Sequence, residues 1–201
     1  EESREWEHRD SSGYSVPHTG SGLHVIYNLK GSNRVNSSHT ELYAQDTYRT
    51  AGKVGTLSVN YGARLSHWSW NGEWLLSPRA SLGYVPAANE AFTFRLATGL
   101  YYQRPFYKEL RDTLTANGNT TVRLNKGIKS QRSFQVLAAM EYRFKLAGRP
   151  FKFSTELYYK AQSRLNPYNV DNVKIVYYGR NCASGYVVGA DFKLFGEFVP
   201  G

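Results

Sequence analysis

The amino-acid sequence predicts an all-β fold of about eight strands, joined as consecutive antiparallel hairpins and forming part of a transmembrane β-barrel. Three observations support this prediction. Apolar and polar residues alternate along the strands, the clearest strands are unusually long, and aromatic residues gather near hairpin ends. Together they indicate a sheet that meets lipid on one face and water on the other.

The clearest hairpin lies within residues 74–110, where two alternating strands are joined by a polar turn at 87–90. A period of two with one apolar face is typical of a strand between two different environments. In the second strand the apolar face carries Phe92, Phe94, Leu96, Leu100 and Tyr102. The other face carries Thr93, Arg95, Ala97, Gly99, Tyr101 and Gln103.

The rest of the chain follows the same alternation. Residues 1–20 have no period and predict a loop, and the cluster at 31–38 predicts a turn. No convincing helix is found. Strands are predicted over 23–30, 40–49, 54–69, 75–85, 92–103, 128–146, 151–162 and 173–196.

The connections alternate in size along the chain. Those at 50–53, 87–90 and 147–149 are short, whereas those at 31–38, 105–126 and 164–171 are longer, with 71–73 as a short exception. Because neighbouring hairpin ends lie on opposite edges of a sheet, short turns gather on one rim and longer loops on the other. This is the pattern of outer-membrane barrels.

Strand length also favours a membrane barrel over a water-soluble one. A strand over 54–69, tilted by about 45°, rises on the order of 35–40 Å, which exceeds an apolar band of about 25 Å. Strands of soluble proteins usually end after about 5–10 residues. The long strands therefore suit a tall barrel.

Aromatic residues lie where the strands would leave the membrane. Trp68, Trp70 and Trp74 flank one hairpin tip, and a tyrosine group that includes Tyr101 lies at the next exit. Tyr84 lies near the opposite rim. Rings with an apolar body and a polar tip prefer the membrane interface, so we predict an aromatic girdle at these positions.

Composition excludes some classes of protein and leaves others open. No window approaches 18 consecutive apolar residues, so no transmembrane helix is predicted, and the polar start lacks the apolar core of a signal peptide. The single cysteine, Cys182, permits no internal disulfide. The net charge of +9 suits nucleic acid, anionic lipid or an anionic ligand equally.

No motif of an enzyme or of a cofactor site occurs in the sequence. The five histidines lack the spacing of a metal site, and one cysteine cannot make a thiolate zinc site. The glycine-rich and nucleophile motifs of nucleotide-binding proteins and hydrolases are absent. We therefore predict a protein that is not an enzyme and holds no cofactor or metal.

The predicted polar face is basic, and two interpretations of it remain open. Its cations line a lumen and favour anionic or metal-chelate cargo, or they form a mixed-charge network with Glu141, Glu156, Asp191 and plug carboxylates. Ligand specificity is also expected in the loop at 105–126. The candidate ligand-binding cations are Arg64, Arg79, Arg95, Arg143, Lys152 and Lys160, with Lys145 and Lys193 on the same face.

Short motifs occur in a fixed order between residues 43 and 191. They are Tyr43-Ala44-Gln45-Asp46, Gly62-Ala63-Arg64, Ser77-Pro78-Arg79, the segment from Gly99 to Pro105 that leads into Glu109-Leu110, and the later matches at 130–133, 141–143, 156–159 and 185–191. Their order resembles the C-terminal half of the barrel in TonB-dependent outer-membrane transporters of Gram-negative bacteria.

The resemblance implies energised uptake of a scarce nutrient, such as a metal chelate, a vitamin or a glycan. Such barrels have about 22 strands, so residues 1–201 are expected to be a barrel fragment with no plug domain and no signal peptide. The implied partners are outer-membrane lipid, the plug and remaining barrel of the parent chain, the TonB system through the plug, and a surface lipoprotein. Nucleic acid is not among them.

Two other functions fit parts of the pattern. A soluble basic β-barrel could bind nucleic acid or another polyanion, but it would need aromatic and basic residues clustered together rather than spread over the strands. A complete eight-stranded outer-membrane barrel fits the strand count, but the chain ends in Phe-Val-Pro-Gly, and proline cannot donate to a closing ladder. A membrane barrel is expected to need detergent and to lack a buried apolar interior.

Overall fold

The computed structural model describes residues 2–15, 24–116, 119–171 and 174–197, with the side chains of residues 31–112, 120–170 and 175–197. These residues form an all-β structure, as the sequence predicted, with one short helix that was not predicted. The elements in chain order are β1 Glu2–Ser15, β2 His24–Gly52, β3 Gly55–Trp68, β4 Glu73–Pro86, β5 Phe92–Gln103, α1 Tyr107–Leu110, β6 Arg111–Ala116, β7 Asn119–Leu124, β8 Gln131–Leu146, β9 Arg149–Leu165, β10 Tyr168–Asp171, β11 Lys174–Tyr177 and β12 Ala183–Gly196.

Seven long strands form one antiparallel sheet, here named the wall, in the order β12-β9-β8-β5-β4-β3-β2. Sequential strands are neighbours, as in a meander, except that β6, β7, β10 and β11 lie in the loops between wall strands. The sheet is an open path within the described residues rather than a closed ring. An open antiparallel sheet of this kind is consistent with the predicted part of a β-barrel.

The prediction for the first 40 residues was wrong in two places. Residues 2–15 form β1 rather than a loop, and 31–38 continue β2 rather than turning. The pairing of β1 with β2, from Glu2 opposite Ser38 to Ser15 opposite His24, explains both. A continuous ladder satisfies the backbone groups of polar residues, so polar composition does not prevent a strand here. Residues 16–20 of the predicted loop, and the C-terminal residues 198–201, lie outside the described part.

The loop regions contain more structure than expected. The predicted loop at 105–126 holds the four-residue helix α1 and the hairpin β6–β7, and β7 adds three parallel pairs to β2 at 28–30. The predicted final strand over 173–196 is divided into β11 and β12, and β11 pairs with β10 instead of joining the wall. These short elements account for the difference between eight predicted and twelve observed strands.

The register confirms the predicted alternation. Leu82 of β4 lies opposite Val59 of β3 and Leu96 of β5, which in turn lies opposite Ala138 of β8. Arg95, the residue before Leu96 in β5, lies on the other face, opposite Gly83 and Ala139. The wall therefore has an apolar face and a polar face, named so below.

The two rims of the wall differ as predicted. Tight turns join β2 to β3, β4 to β5 and β8 to β9 at one end, the turn rim. At the other end, the loop rim, residues 69–72, 104–116, 119–130, 166–171 and 174–182 lie between the long strands. We name these residues, together with the strand-end residues Trp68, Glu73 and Arg164, the loop cap. The strands β1 and β2 also extend beyond the loop rim.

The apolar face is not covered by protein. Leu42 is 71% exposed, Leu96 48% and Phe192 69%. A soluble barrel would turn this face inwards and bury it. The exposed apolar face thus agrees with the expectation that the wall lacks a buried apolar interior.

The aromatic residues are distributed differently from the predicted girdle. Trp68 is buried in the loop cap and Trp70 packs against it, so only Trp74 of the three faces outward, with its ring 4.5 Å from that of His67. An unpredicted band lies near the turn rim instead. Its stacked apolar-face rings are Phe92, Phe94, Tyr142, Phe144 and Phe151, with Phe153 near Phe192.

Among the described residues, no helix has both the length and the apolar character needed to cross a membrane.

Candidate functional site

The six cations predicted as ligand-binding candidates all occupy the polar face. Register determines this placement, because residues paired across strands share a face. Arg64 lies opposite Tyr43 and Ser77, Arg79 opposite Gly62 and Gly99, Arg95 opposite Gly83 and Ala139, Arg143 opposite Lys152, and Lys160 opposite Gln135 and Val187.

Two of these cations form ion pairs with carboxylates of neighbouring strands. Arg64 Nη1 lies 3.3 Å from Glu41 Oε2, and Arg95 Nη1 lies 3.2 Å from Glu141 Oε1. Exposed pairs of this kind contribute between about 0 and 1 kcal/mol to stability. They orient the guanidinium groups and lower the net positive charge of the face.

Arg79 is positioned by an aromatic ring instead. Its guanidinium carbon lies 4.8 Å from the ring centre of Tyr101, and the Tyr101 ring lies over Gly99 in the same strand. A Cβ on Gly99 would approach that ring to 2.9 Å, so only glycine leaves the ring this position. Tyr158 lies over Gly189 of the next strand in a similar way.

A concavity of about 280 Å³ lies in the polar face between Arg64 and Arg79. Asn60 is fixed within it, because Thr47 Oγ1 donates to Asn60 Oδ1 at 2.8 Å and Asn60 Nδ2 donates to Ser81 Oγ at 3.2 Å. The concavity offers amide, hydroxyl and guanidinium groups together. It can hydrogen-bond a polar ligand, whether neutral or anionic.

The loop cap has a small apolar core. Leu110 is 2% exposed and Ile128 1%, and both pack with the buried Trp68. Trp70 and Leu124 cover this cluster, and Lys126 Nζ lies 5.0 Å from the centre of the Trp70 ring. The core joins the end of β3 to the long connection between β5 and β8.

Glu73, the first residue of β4, is the polar centre of the loop cap. Its Oε2 accepts hydrogen bonds from Ser130 N at 2.9 Å and from Ser130 Oγ at 2.7 Å, and Ser130 is fully buried. Arg164 Nη1 lies 3.8 Å from the other carboxylate oxygen. Asn71 adds a bond to Ile128 O at 3.1 Å, so one short hairpin tip holds two loops.

Glu109 closes the start of α1 with its side chain. Its Oε2 accepts from Phe106 N at 3.1 Å and its Oε1 accepts from Gln131 Nε2 at 3.3 Å. Burial raises the pKa of the Glu109 carboxyl, and these two hydrogen bonds only partly oppose that rise. Burial also raises the pKa of Tyr177, and the negative charge of Glu109 raises it further.

Asparagine side chains join the connections of the loop cap. Asn181 Nδ2 donates to Arg164 O at 2.7 Å and to Lys129 O at 2.9 Å, while its Oδ1 accepts from Lys129 N at 2.7 Å. Asn125 Nδ2 donates to Gly179 O at 2.9 Å. The three loops therefore form one packed unit.

The motif residues named from the sequence divide between these two regions. Ser77, Pro78, Arg79 and Gly99 lie in the wall, and Ser77 is buried on the polar face beside Arg64. Pro105, Glu109 and Leu110 are buried in the loop cap. Sequence reasoning assigned no such role to Glu73, Ser130 and the asparagines: Asn71 and Glu73 lie in the predicted turn at 71–73, whereas Ser130 and Asn181 lie within predicted strands.

The described residues contain no group of three or more His, Cys, Asp or Glu side chains that could hold a metal ion. Cys182, the single cysteine, is exposed.

The fold and its two faces together define the wall of an outer-membrane β-barrel. A family profile described as "TonB dependent receptor-like, beta-barrel" matches residues 3–190, and the chain belongs to this family. Comparisons with curated proteins and with solved structures found no match. Members of the family are outer-membrane transport proteins in which a plug domain and further barrel strands belong to the same chain.

Proposed function

We propose that residues 1–201 form part of the barrel of a transporter that carries a scarce nutrient across the outer membrane of Gram-negative bacteria by energised uptake. A metal chelate, a vitamin or a glycan is the proposed class of cargo. The observation that carries this proposal is the division of the wall into an exposed apolar face and a polar face with ordered cations and a concavity.

The polar face is the proposed passage for cargo. Arg64 and Arg79 border the concavity, and each is held in place by a neighbour, Glu41 or Tyr101. Prepositioned guanidinium groups can bind carboxylate or phosphate with little loss of side-chain freedom. Lys152 and Lys160 extend this cationic character towards β9.

The proposed partners follow from the two faces and from the family. Lipid covers the apolar face, while the plug and the remaining strands of the parent chain face the polar side and complete the barrel. The TonB system acts through the plug, and a surface lipoprotein can sit on the loop cap. Nucleic acid is not a proposed partner, because the basic residues lie on a face that a barrel turns inwards.

Uptake by living cells tests the transport function. The gene for the whole protein is deleted, and uptake of labelled metal chelates, vitamins and glycans is measured with and without a proton uncoupler. We expect one class of compound to lose its energised uptake in the deletion strain, with recovery on complementation. Uptake that is unchanged for every class, or that does not respond to the uncoupler, contradicts the proposal.

Detergent dependence tests the membrane assignment separately. We expect the purified protein to stay dispersed only in detergent or lipid, because its apolar face is exposed. A folded monomer that is soluble in buffer would indicate a soluble polyanion-binding module instead.

A reading frame limited to these residues, without a plug-coding region, would indicate a complete small barrel.

A further inference from the structure

A second basic region lies on the polar face at the turn rim, well away from the concavity beside Arg79. It is a pocket of about 570 Å³ beside the tight turn between β8 and β9, and Phe144, Phe151 and Gly196 form the apolar part of its lining. Its polar-face residues are Arg143, Lys145, Pro150, Lys152 and Phe195, which we name the basic pocket.

The register between β8 and β9 places the cationic residues of the basic pocket next to one another. Arg143 lies directly opposite Lys152, and Lys145 is two residues further along β8 on the same face, opposite Pro150. Directly opposed side chains have Cβ atoms about 4.5–5.5 Å apart, and like charges in that arrangement destabilise a sheet. Arg143 and Lys152 therefore form one cross-strand pair with no apolar residue between them, and Lys145 belongs to the next pair on the same face.

Carboxylates near the turn rim, including Glu90 and Glu197, form no ion pair with these cations among the described residues. Glu141, the nearest acidic residue along β8, is paired with Arg95 at 3.2 Å. Glu156 and Asp191 lie further from the rim and face each other across β9 and β12. No ion pair observed in the described part of the chain includes a cation of the basic pocket, in contrast to Arg64 and Arg95.

Aromatic and ring side chains give the pocket its walls. Lys152 Nζ lies 5.0 Å from the centre of the Phe195 ring, a distance at which the ring attracts the ammonium group. Pro150 fixes the backbone on the other side, directly after the turn. Because Phe195 lies on β12 and Arg143 on β8, this contact places the Lys152 ammonium on the β12 side of the pocket, with Arg143 on the β8 side.

We propose that the basic pocket binds a dianionic phosphate group. Arg143 can bind two phosphate oxygens at once, and Lys145 and Lys152 supply point charges to the others. Three cations match a dianion better than a monoanion, and a bound dianion removes the repulsion between Arg143 and Lys152. The phosphate comes either from a soluble phosphate ester in the lumen or from the head group of a phospholipid at the rim.

Phosphate binding is measured with the whole protein, purified in detergent, and inorganic phosphate as the probe. The line width of the ³¹P resonance is followed as protein is added, with sulfate as a competing dianion and chloride as a monoanion. We expect saturable broadening that sulfate reverses and chloride does not. Short-chain phosphatidic acid in the same assay distinguishes the two sources: displacement at a concentration well below that of inorganic phosphate identifies the lipid.

Matched variants locate the site. Arg143→Gln and Lys152→Gln should each weaken phosphate binding on the order of tenfold, because each removes one charge within contact distance. Lys53→Gln removes the same charge at another tight turn of the same rim, between β2 and β3, and should leave binding unchanged. Circular dichroism and resistance to protease report whether each variant is folded.

The proposal is independent of the transported cargo, since binding by purified protein is measured without uptake. It is overturned if folded wild-type protein does not broaden the phosphate resonance. It is also overturned if Lys53→Gln weakens binding as much as Lys152→Gln does, because a general positive potential would then be the cause. Loss in the two pocket variants alone supports it.

Discussion

The wall and the loop cap of this protein place apolar side chains in opposite ways. On the wall, large apolar residues such as Leu96 and Phe192 are about half or more exposed. In the loop cap, Leu110 and Ile128 are almost completely buried, and Glu73 satisfies the fully buried Ser130. The two regions are connected by the same strands.

The difference follows from the solvent that each region meets. Lipid tails are as apolar as leucine, so a wall in a membrane gains little by burying its outer face in protein. The loop cap lies beyond the strands and meets water, so it needs a core of its own and partners for its buried polar groups. The substitutions below test this contrast.

The largest effect is expected for Leu110→Ala compared with Leu96→Ala. Truncating Leu110 leaves a cavity in the cap core and should lower the free energy of local unfolding by about 2–5 kcal/mol. Lipid can fill the space left by Leu96, so that variant should lose less than about 1 kcal/mol. Hydrogen exchange of the protein in lipid, read at residues 124–130 and 96–98, measures both. Equal losses of unfolding free energy in the two variants would contradict the proposed difference between the loop cap and the wall.

Next in size is Glu73→Ala. It leaves Ser130 N and Ser130 Oγ buried without their acceptor, which should cost about 1–3 kcal/mol. Faster exchange at Ser130 and faster protease cleavage within 104–130 would report the loss. Glu90→Ala, at an exposed turn on the other rim, is the control and should change neither. A cap that stays protected in Glu73→Ala would mean that its apolar core suffices alone.

A smaller effect is expected for Gly99→Ala in the wall. The added Cβ would meet the Tyr101 ring and tilt it away from Arg79, at a cost of up to about 1 kcal/mol, the strength of an exposed cation–π contact. The matched test repeats Gly99→Ala in a Tyr101→Ala background, where there is no ring to displace. Stability is measured by denaturant unfolding from lipid vesicles. The same cost in both backgrounds would assign the effect to the strand rather than to the ring.

The smallest expected effect is the dependence of cap stability on pH. Because burial raises the pKa of Glu109 in the folded cap above its ordinary value of 4.5, the folded state binds the proton more tightly than the unfolded state does. The stability that protonated Glu109 adds to the folded cap is therefore complete below pH 4.5. It is lost as the pH rises through the raised pKa that Glu109 has in the folded cap. Hydrogen exchange at residues 107–110, measured from below pH 4.5 upwards, should show this loss of stability in the wild type and not in Glu109→Gln.

The sequence was sufficient to predict the wall. Alternation over strands such as β3 and β8 determines which residues share a face, and the observed register agrees for Arg64, Arg79 and Arg95. This works because the period of a strand is a local property, and a slip by one residue would exchange the two faces.

The loop cap could not be predicted, because its contacts join residues far apart in the chain. Glu73 and Ser130 are separated by 57 positions, as are Asn71 and Ile128. Their residue types are ordinary for turns, and no periodicity marks them. Trp68 and Trp70 were placed in a membrane girdle for the same reason, since only the cap core shows that they turn inwards. The polar stretch 31–38 of β2 was also missed, because its strand conformation is determined by pairing with β1.

The two tyrosines that lie flat over glycines have a consequence for the width of the proposed passage. A tyrosine standing upright on the polar face would narrow the bore of the finished barrel, whereas Tyr101 and Tyr158 lie along the surface. At these two points the clearance for a passing molecule is therefore limited by the backbone and one ring thickness. Between the cations of the polar face, the flat faces of these rings would be the weakly polar surface that such a molecule contacts.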